Sequence, residues 1–245
     1  MQTIKLKGLN NVRDIGGISI NGKTLKYNLF IRGKSLYTAT ASDVKVLVSH
    51  GIRKIIDLRT DMEASRKPDV EIKGVSYCHI PVFNREVPGI TSHKRNDAID
   101  LTKIYAGMLK EEYLDNISKI IKEIINTDGC VYFHCSEGKD RTGIISMILL
   151  LLLGAKKEDI LEDYLYTNVI NNYLSKKYYL FTLVSTGSKD KASNIRSFYL
   201  AKEEYIEAAF EVISEKYNNI EDFAFRGLKL TEQELIEFRD KCLQN

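Results

Sequence analysis

Cys135 and Arg141 stand six positions apart in the run His134-Cys135-Ser136-Glu137-Gly138-Lys139-Asp140-Arg141-Thr142-Gly143. Just before it, Cys130-Val131-Tyr132-Phe133 is β-branched and aromatic, the composition of a short buried strand. Just after it, Thr142 to Leu153 is apolar and stops at Gly154, which predicts a buried helix with a glycine end. The run is therefore expected to join the carboxyl end of a strand to the amino end of a helix. Free backbone N–H groups and the helix dipole favour an anion there.

Each residue type in the loop has a chemical reason. A free thiol titrates near ~8.5, and a helix N-terminus beside a cation brings it to roughly 3.5–7.5. Cys135 is expected as a thiolate able to attack phosphorus. Arg141 offers a planar fork of donors to two phosphate oxygens. The N–H groups of Ser136, Glu137, Gly138, Lys139 and onward to Arg141 can converge as a nest on the remaining oxygens. Gly138 permits the tight bend, and Thr142 is expected to donate its hydroxyl to the sulfur. His134 is expected to orient the loop through a backbone hydrogen bond rather than act as a base. The implied chemistry is two-step hydrolysis of a phosphate ester through a phosphocysteine.

Three rival readings are weaker. A lone buried cysteine is usually a small core hydrophobe, but His134, Gly138, Thr142 and Gly143 in one strand–loop–helix context favour catalysis. A nucleotide-binding loop needs glycine at 133 and Ser or Thr at 140, where this chain has Phe133 and Asp140. Cys130 and Cys135 lack a second ligand pair for zinc, and His50, His79 and His93 show no metal-ligand spacing. Neither a metal nor a cofactor is expected.

The loop resembles the signature of the cysteine-dependent protein tyrosine phosphatase superfamily. Its Lys139-Asp140 pair is similar to an atypical bacterial branch that hydrolyses phosphotyrosine, sometimes phosphoserine or phosphothreonine, and phosphoinositides. Asn11-Val12-Arg13-Asp14-Ile15-Gly16-Gly17 resembles that branch's N-terminal block, and Ile56-Asp57-Leu58-Arg59 with Glu63, Pro68 and Asp69 resembles its second. The tail, from Glu204-Tyr205 through Ala208-Ala209-Phe210 and Gly227-Leu228 to Thr231–Leu235, is also similar. Likeness is weakest between 84 and 112 and between 173 and 202. Where the branch tends to carry Arg-Ser-Gly, this chain has Arg32-Gly33-Lys34.

The chain's 245 residues, 44% hydrophobic, can bury a sizeable core, and no linker or repeat divides them, so one domain over 1–245 is expected. A net charge of +3 with no basic-aromatic motif argues against nucleic acid. The four cysteines show no paired spacing, and a reducing compartment would preserve a catalytic thiolate. The N-terminus lacks a signal-peptide core, and the apolar run Ile144 to Leu153 falls short of the ~20 residues that span a bilayer. A cytoplasmic location is the expectation, with secretion by a route without a visible signal left open. Oligomeric state is left open too.

Turns at Gly16-Gly17 and Asn21-Gly22 predict an N-terminal β element. Thr40 to Ser49 predicts a helix capped by Thr40 with Val44, Leu47 and Val48 inward. Strands are predicted over Lys54–Leu58 and Ser76–Pro81, and helices over Tyr113–Ile125, Tyr205–Tyr217 and Thr231–Leu243. Strands alternating with helices imply an α/β fold with a mostly parallel central sheet flanked by helices, its site at a strand's carboxyl end. The resemblance implies in addition a tyrosine-phosphatase-like arrangement with a helical lid after the loop helix.

Residues 173–202 fit that lid. Lys176, Lys177, Lys189, Lys191, Arg196 and Lys202 face Asp190 alone, a net +5 mixed with aromatics. Two readings stand: a basic lid that attracts polyanionic substrates or an anionic membrane, and a solvated helix with ordinary core aromatics.

Expulsion of the leaving group calls for a general acid. The chain has no tryptophan, so a Trp-Pro-Asp loop is absent. Asp140 is the first candidate and Asp57 the second, with Asp61 and Asp69 behind; Asp57 pairing structurally with Arg59 or Arg32 is the alternative. Lys139 reads either as a cation for an extra inositol phosphate or as plain rim charge. Arg13, Arg32 and Arg59 are candidate supporting residues. The expected activity is hydrolysis of phosphotyrosine esters; the alternatives are phosphoinositide or dual-specificity hydrolysis and a silent phosphate-binding module.

Overall fold

Fully buried β-branched and aromatic strands set the centre of the fold. The computed structural model describes residues 1–88, 90–91 and 100–245, so His93 lies outside the described residues. A six-stranded sheet runs in the order β1 (Gln2–Thr3), β2 (Arg13–Asp14), β5 (Phe30–Gly33), β8 (Cys130–His134), β6 (Ile52–Asp57) and β7 (Ser76–His79). The last four pair in parallel, and β1 and β2 close one edge antiparallel. Side chains alternate between the faces of such strands. In β8, Val131 and Phe133 join the larger core cluster while Cys130 and Tyr132 join the smaller one. The sheet is therefore covered on both sides, as parallel sheets require.

The β3 (Ser19–Ile20) and β4 (Lys23–Leu25) hairpin turns at Asn21-Gly22, both with positive φ, and β9 (Leu243–Gln244) adds to it. Helices α1 (Ala41–Ser49), α2 (Asp61–Arg66), α3 (Leu101–Met108), α4 (Glu111–Ile125) and α5 (Asp140–Leu153) follow the strands. Then come α6 (Lys157–Thr186), α7 (Lys189–Tyr199), α8 (Glu203–Lys216), a short α9 (Ile220–Asp222) running into a π turn, and α10 (Glu232–Cys242). The helix α5 is buried almost all round and ends at Gly154, whose φ of 89° suits a residue without Cβ. Among the described residues no helix is long and apolar enough to cross a membrane.

Two expectations need correction. The inward side of α1 carries Leu47 and Asp43, while Val48 is exposed. Asp43 earns that place by closing the capping box with Thr40 and accepting N–H bonds from Lys7 and Gly8. The stretch from 173 begins in the middle of α6, a helix of 30 residues whose first half packs on the body. Its aromatics divide: Tyr173 and Phe181 are exposed, while Phe198 packs partly buried against the larger core.

Candidate active site

Parallel register places Gly33, His134, Asp57 and His79 side by side at the carboxyl ends of β5, β8, β6 and β7. The loop from Cys135 to Lys139 leaves that row and enters α5. Its carbonyls are held one after another by the surrounding scaffold. His134 Nδ1 lies 3.1 Å from the Cys135 oxygen, and Ser35 N donates to the Ser136 oxygen at 3.3 Å. Asn11 Nδ2 donates to the Glu137 oxygen and Arg32 Nη2 to the Gly138 oxygen, each at 2.9 Å. A trans peptide points its N–H opposite its C=O. Tying those four carbonyls to the scaffold therefore turns the amides of Ser136, Glu137, Gly138 and Lys139 the other way, into one anion-binding concavity. Gly138 (φ 69°) is required here, since a Cβ would sit 2.4 Å from the Gly33 backbone.

Cys135 heads the loop and is 2% exposed. Arg141, in the first turn of α5, gives Nη1 and Nη2 to the two oxygens of Glu63 at 2.6 and 2.8 Å, leaving Nε–H buried without a partner. Ser136 Oγ donates to the same carboxylate at 2.6 Å, so its side chain is committed to the scaffold and its amide is what remains for an anion. Burial pushes the Glu63 carboxyl up, but Arg141 and Ser136 outweigh it and hold it below its usual range. Burial likewise works against the Arg141 charge, yet Glu63 and the neighbouring Cys135 leave its pKa raised. Glu63 was visible in sequence only as one residue of a block; its capping box with Thr60 on α2 aims it at the loop. Glu63→Gln should lower kcat/KM by up to ~100-fold through loss of the fixed Arg141 geometry, measured on an aryl phosphate. An unchanged value would show that the loop alone holds the arginine.

Three expected roles do not match the contacts. The Thr142 hydroxyl is buried without a hydrogen-bond partner, so it does not donate to the sulfur. Asp57 is fully buried, bound by the Arg59 guanidinium (2.6–3.0 Å) and by the Tyr77 hydroxyl (2.7 Å). Burial raises its carboxyl pKa, but His134 and Arg59 more than offset that, and it stays ionised. Both of its oxygens are thus taken by structural partners. Asp69 sits in the same network, 2.9 Å from His134 Nε2 and 3.1 Å from Arg59, while Asp61 is exposed on α2. Despite burial, these two carboxylates keep the His134 pKa raised. The cluster of Asp57, Asp69 and His134 has a metal-like spacing, but Arg59 already supplies its cation.

Lys139 is the third. The residue is 3% exposed, and its ammonium donates to the carbonyls of Phe198 (2.6 Å) and Leu200 (3.2 Å) at the end of α7. It also lies 3.3 Å from Asp140. Asp140 itself accepts from the Tyr105 hydroxyl at 2.6 Å, and Tyr105 meets Tyr164 at 2.7 Å. Asp140 thus stands in the first turn of α5, partly exposed, between the Tyr105 hydroxyl and the Lys139 ammonium. Glu137 keeps only a 3.9 Å ion pair with Lys34, and its amide is its contribution to the concavity.

A buried charge cluster supports the loop from beneath. Asp163 of α6 accepts from Arg13 Nε at 2.7 Å, Arg32 Nη1 at 2.5 Å and Ser146 Oγ at 2.9 Å. Arg13 also fixes Asn11, and Arg32 holds Gly138, so two of the four loop tethers rest on one aspartate.

A family described as tyrosine phosphatases matches residues 4–244. A tyrosine-protein phosphatase of Nostoc commune is 31% identical over 138 residues, covering 55% of this chain and 47% of that protein. A curated relative from Cupriavidus necator is 28% identical over 170 residues, covering 66% of this chain and 62% of its own length. The chain thus matches less than two thirds of the length of either relative. The human tyrosine phosphatase-like serine/threonine/tyrosine-interacting protein aligns with a TM-score of 0.39 and 14% identity, over 76% of this chain and 92% of that one.

Proposed function

This chain belongs to the tyrosine phosphatase family, and on that premise we propose that it hydrolyses phosphotyrosine esters through a phosphocysteine. The observation that carries the reading is the loop itself: four tethered carbonyls turn their amides the other way, between Cys135 at the head of the loop and Arg141 in the first turn of the helix. Cys135 Sγ attacks phosphorus while Arg141 and the amides hold the non-bridging oxygens, which carry the growing charge of the transition state. Asp140 gives its proton to the departing phenolic oxygen, and then takes one from the water that cleaves the phosphocysteine. Tyr105 positions Asp140. The near-complete burial of Cys135 supports a phosphate carried on a long arm, such as a tyrosine ring, over one on a short serine.

Phosphoinositides are the second reading, supported by the +5 stretch between 173 and 202 and not by Lys139, whose ammonium is engaged elsewhere. A silent phosphate-binding module would have no use for the intact Cys135 and Arg141 pair.

Turnover of an aryl phosphate, measured with a chelator and with vanadate, tests the reading. Vanadate should block it and chelator should leave it unchanged; a chelator-sensitive activity would overturn it. Asp140→Asn should slow phenyl-type esters by about 10²–10⁴-fold while slowing activated aryl esters far less. Equal losses on both would remove Asp140 from the acid role.

A further inference from the structure

The five most exposed large apolar side chains among the described residues all lie on α6: Val184 (85%), Tyr173 (78%), Phe181 (70%), Val169 (67%) and Leu180 (58%). Four of them, at 169, 173, 180 and 184, repeat at steps of four and seven and so share one face of the helix. Phe181 flanks that stripe, which runs for about 22 Å at 1.5 Å per residue. The opposite face holds the buried Tyr164, Thr167, Asn171 and Ser175. From Lys176 to Thr186 no residue of α6 is fully buried, so this half of the helix projects from the body. An exposed apolar stripe of that length marks a docking surface.

Charge selects the occupant. Lys176 and Lys177 are exposed within the stripe, and Lys189, Lys191 and Lys202 are exposed nearby. The stretch from 173 to 202 carries +5 in a chain of net +3, so the rest of the molecule is at −2. A second copy would bring +5 against +5. An anionic bilayer supplies both halves of the match: acyl chains for the stripe, and headgroup charge for lysines whose stems lie along it.

We propose that the projecting half of α6 docks on an anionic lipid surface. The hairpin of α6 and α7 is fastened to the phosphate loop by Lys139 on the Phe198 and Leu200 carbonyls, and Asn171 donates to the Tyr199 carbonyl at 3.2 Å. Docking therefore puts the phosphate loop on the same rigid unit as the surface-bound hairpin. The docking stands apart from the phosphatase reading.

The test is co-sedimentation of the full chain with phosphatidylcholine vesicles, with and without phosphatidylserine. Wild type should pellet with the anionic vesicles only, and less so in high salt. Phe181→Glu combined with Val184→Glu should weaken that binding at least ~tenfold, and Lys176→Glu combined with Lys177→Glu should do the same. Both variants should keep wild-type turnover of a soluble aryl phosphate, which also reports that they fold. Wild type that ignores anionic vesicles, or variants that pellet like wild type, would overturn the docking. So would sedimentation velocity showing a dimer that the same substitutions split. Vesicle binding without aryl phosphate turnover would leave docking standing and overturn the phosphatase reading alone.

Discussion

Replacing Cys135 by serine is expected to lower aryl phosphate turnover on the order of 10⁴-fold or more, with the fold intact. The swap is nearly isosteric, so the core around this 2% exposed side chain is little disturbed. The chemistry is lost because a hydroxyl, unlike a thiol, needs a base to become a nucleophile. None stands ready. His134 Nδ1 is spent on the Cys135 carbonyl, and its ring is caged between Asp57 and Asp69, which keep its pKa raised. Steady-state kinetics beside a thermal melt would check this. Residual activity within tenfold of wild type would show that another residue is the nucleophile.

Asp163→Asn is expected to destabilise the protein by about 3–5 kcal/mol, the usual result of removing one member of a buried ion pair. Arg13 and Arg32 would then face each other fully buried with no anion between them. At ~2–4 °C per kcal/mol for a chain of this size, the melting midpoint should fall by roughly 10 °C. The effect has a pH signature. Burial raises the Asp163 carboxyl pKa, but Arg13 and Arg32 overcome it, so the folded value is depressed. A depressed carboxylate stabilises fully above its unfolded pKa of about 3.9 and loses that contribution as pH falls through the folded value. The gap between wild type and variant should therefore be widest near neutrality and narrow below pH ~4. Melts across that range would measure it, and a gap that stays constant would show that Asp163 acts by packing alone. Activity should fall with stability, since two of the four loop-carbonyl tethers rest on this side chain.

Much of the site was readable because it is contiguous. Strand β8, the loop and α5 follow one another without interruption, and α5 stops at Gly154 as expected. The Asn21-Gly22 turn and the Thr40 cap were equally legible, since each is a hydrogen-bond pattern closed within a few residues. The full length of α6 was not readable, because its amphipathic phase shifts between the half that packs and the half that projects. Helix α3 was missed in the stretch where resemblance is weakest.

The partners that shape the site were hidden by distance along the chain. Asn11 reaches Glu137 across 126 residues, Arg32 reaches Gly138 across 106, Glu63 holds Ser136 across 73, and Tyr105 meets Asp140 across 35. No local pattern announces such contacts. Lys139 shows the consequence: adjacent to the nucleophile loop in sequence, it spends its charge on the end of a helix some sixty residues later.

The order of residues alone determined which groups gather at the phosphate loop, because a strand, a tight turn and a helix start place neighbours in sequence as neighbours in space. Only the tertiary structure decided which charged groups remain free to act. Asp57 and Asp69 are locked behind the loop and Lys139 is drawn off to α7, while Asp140 stays partly exposed. A side chain's charge is available or spent according to what distant segments pack against it, and burial and pairing are properties of the folded contacts.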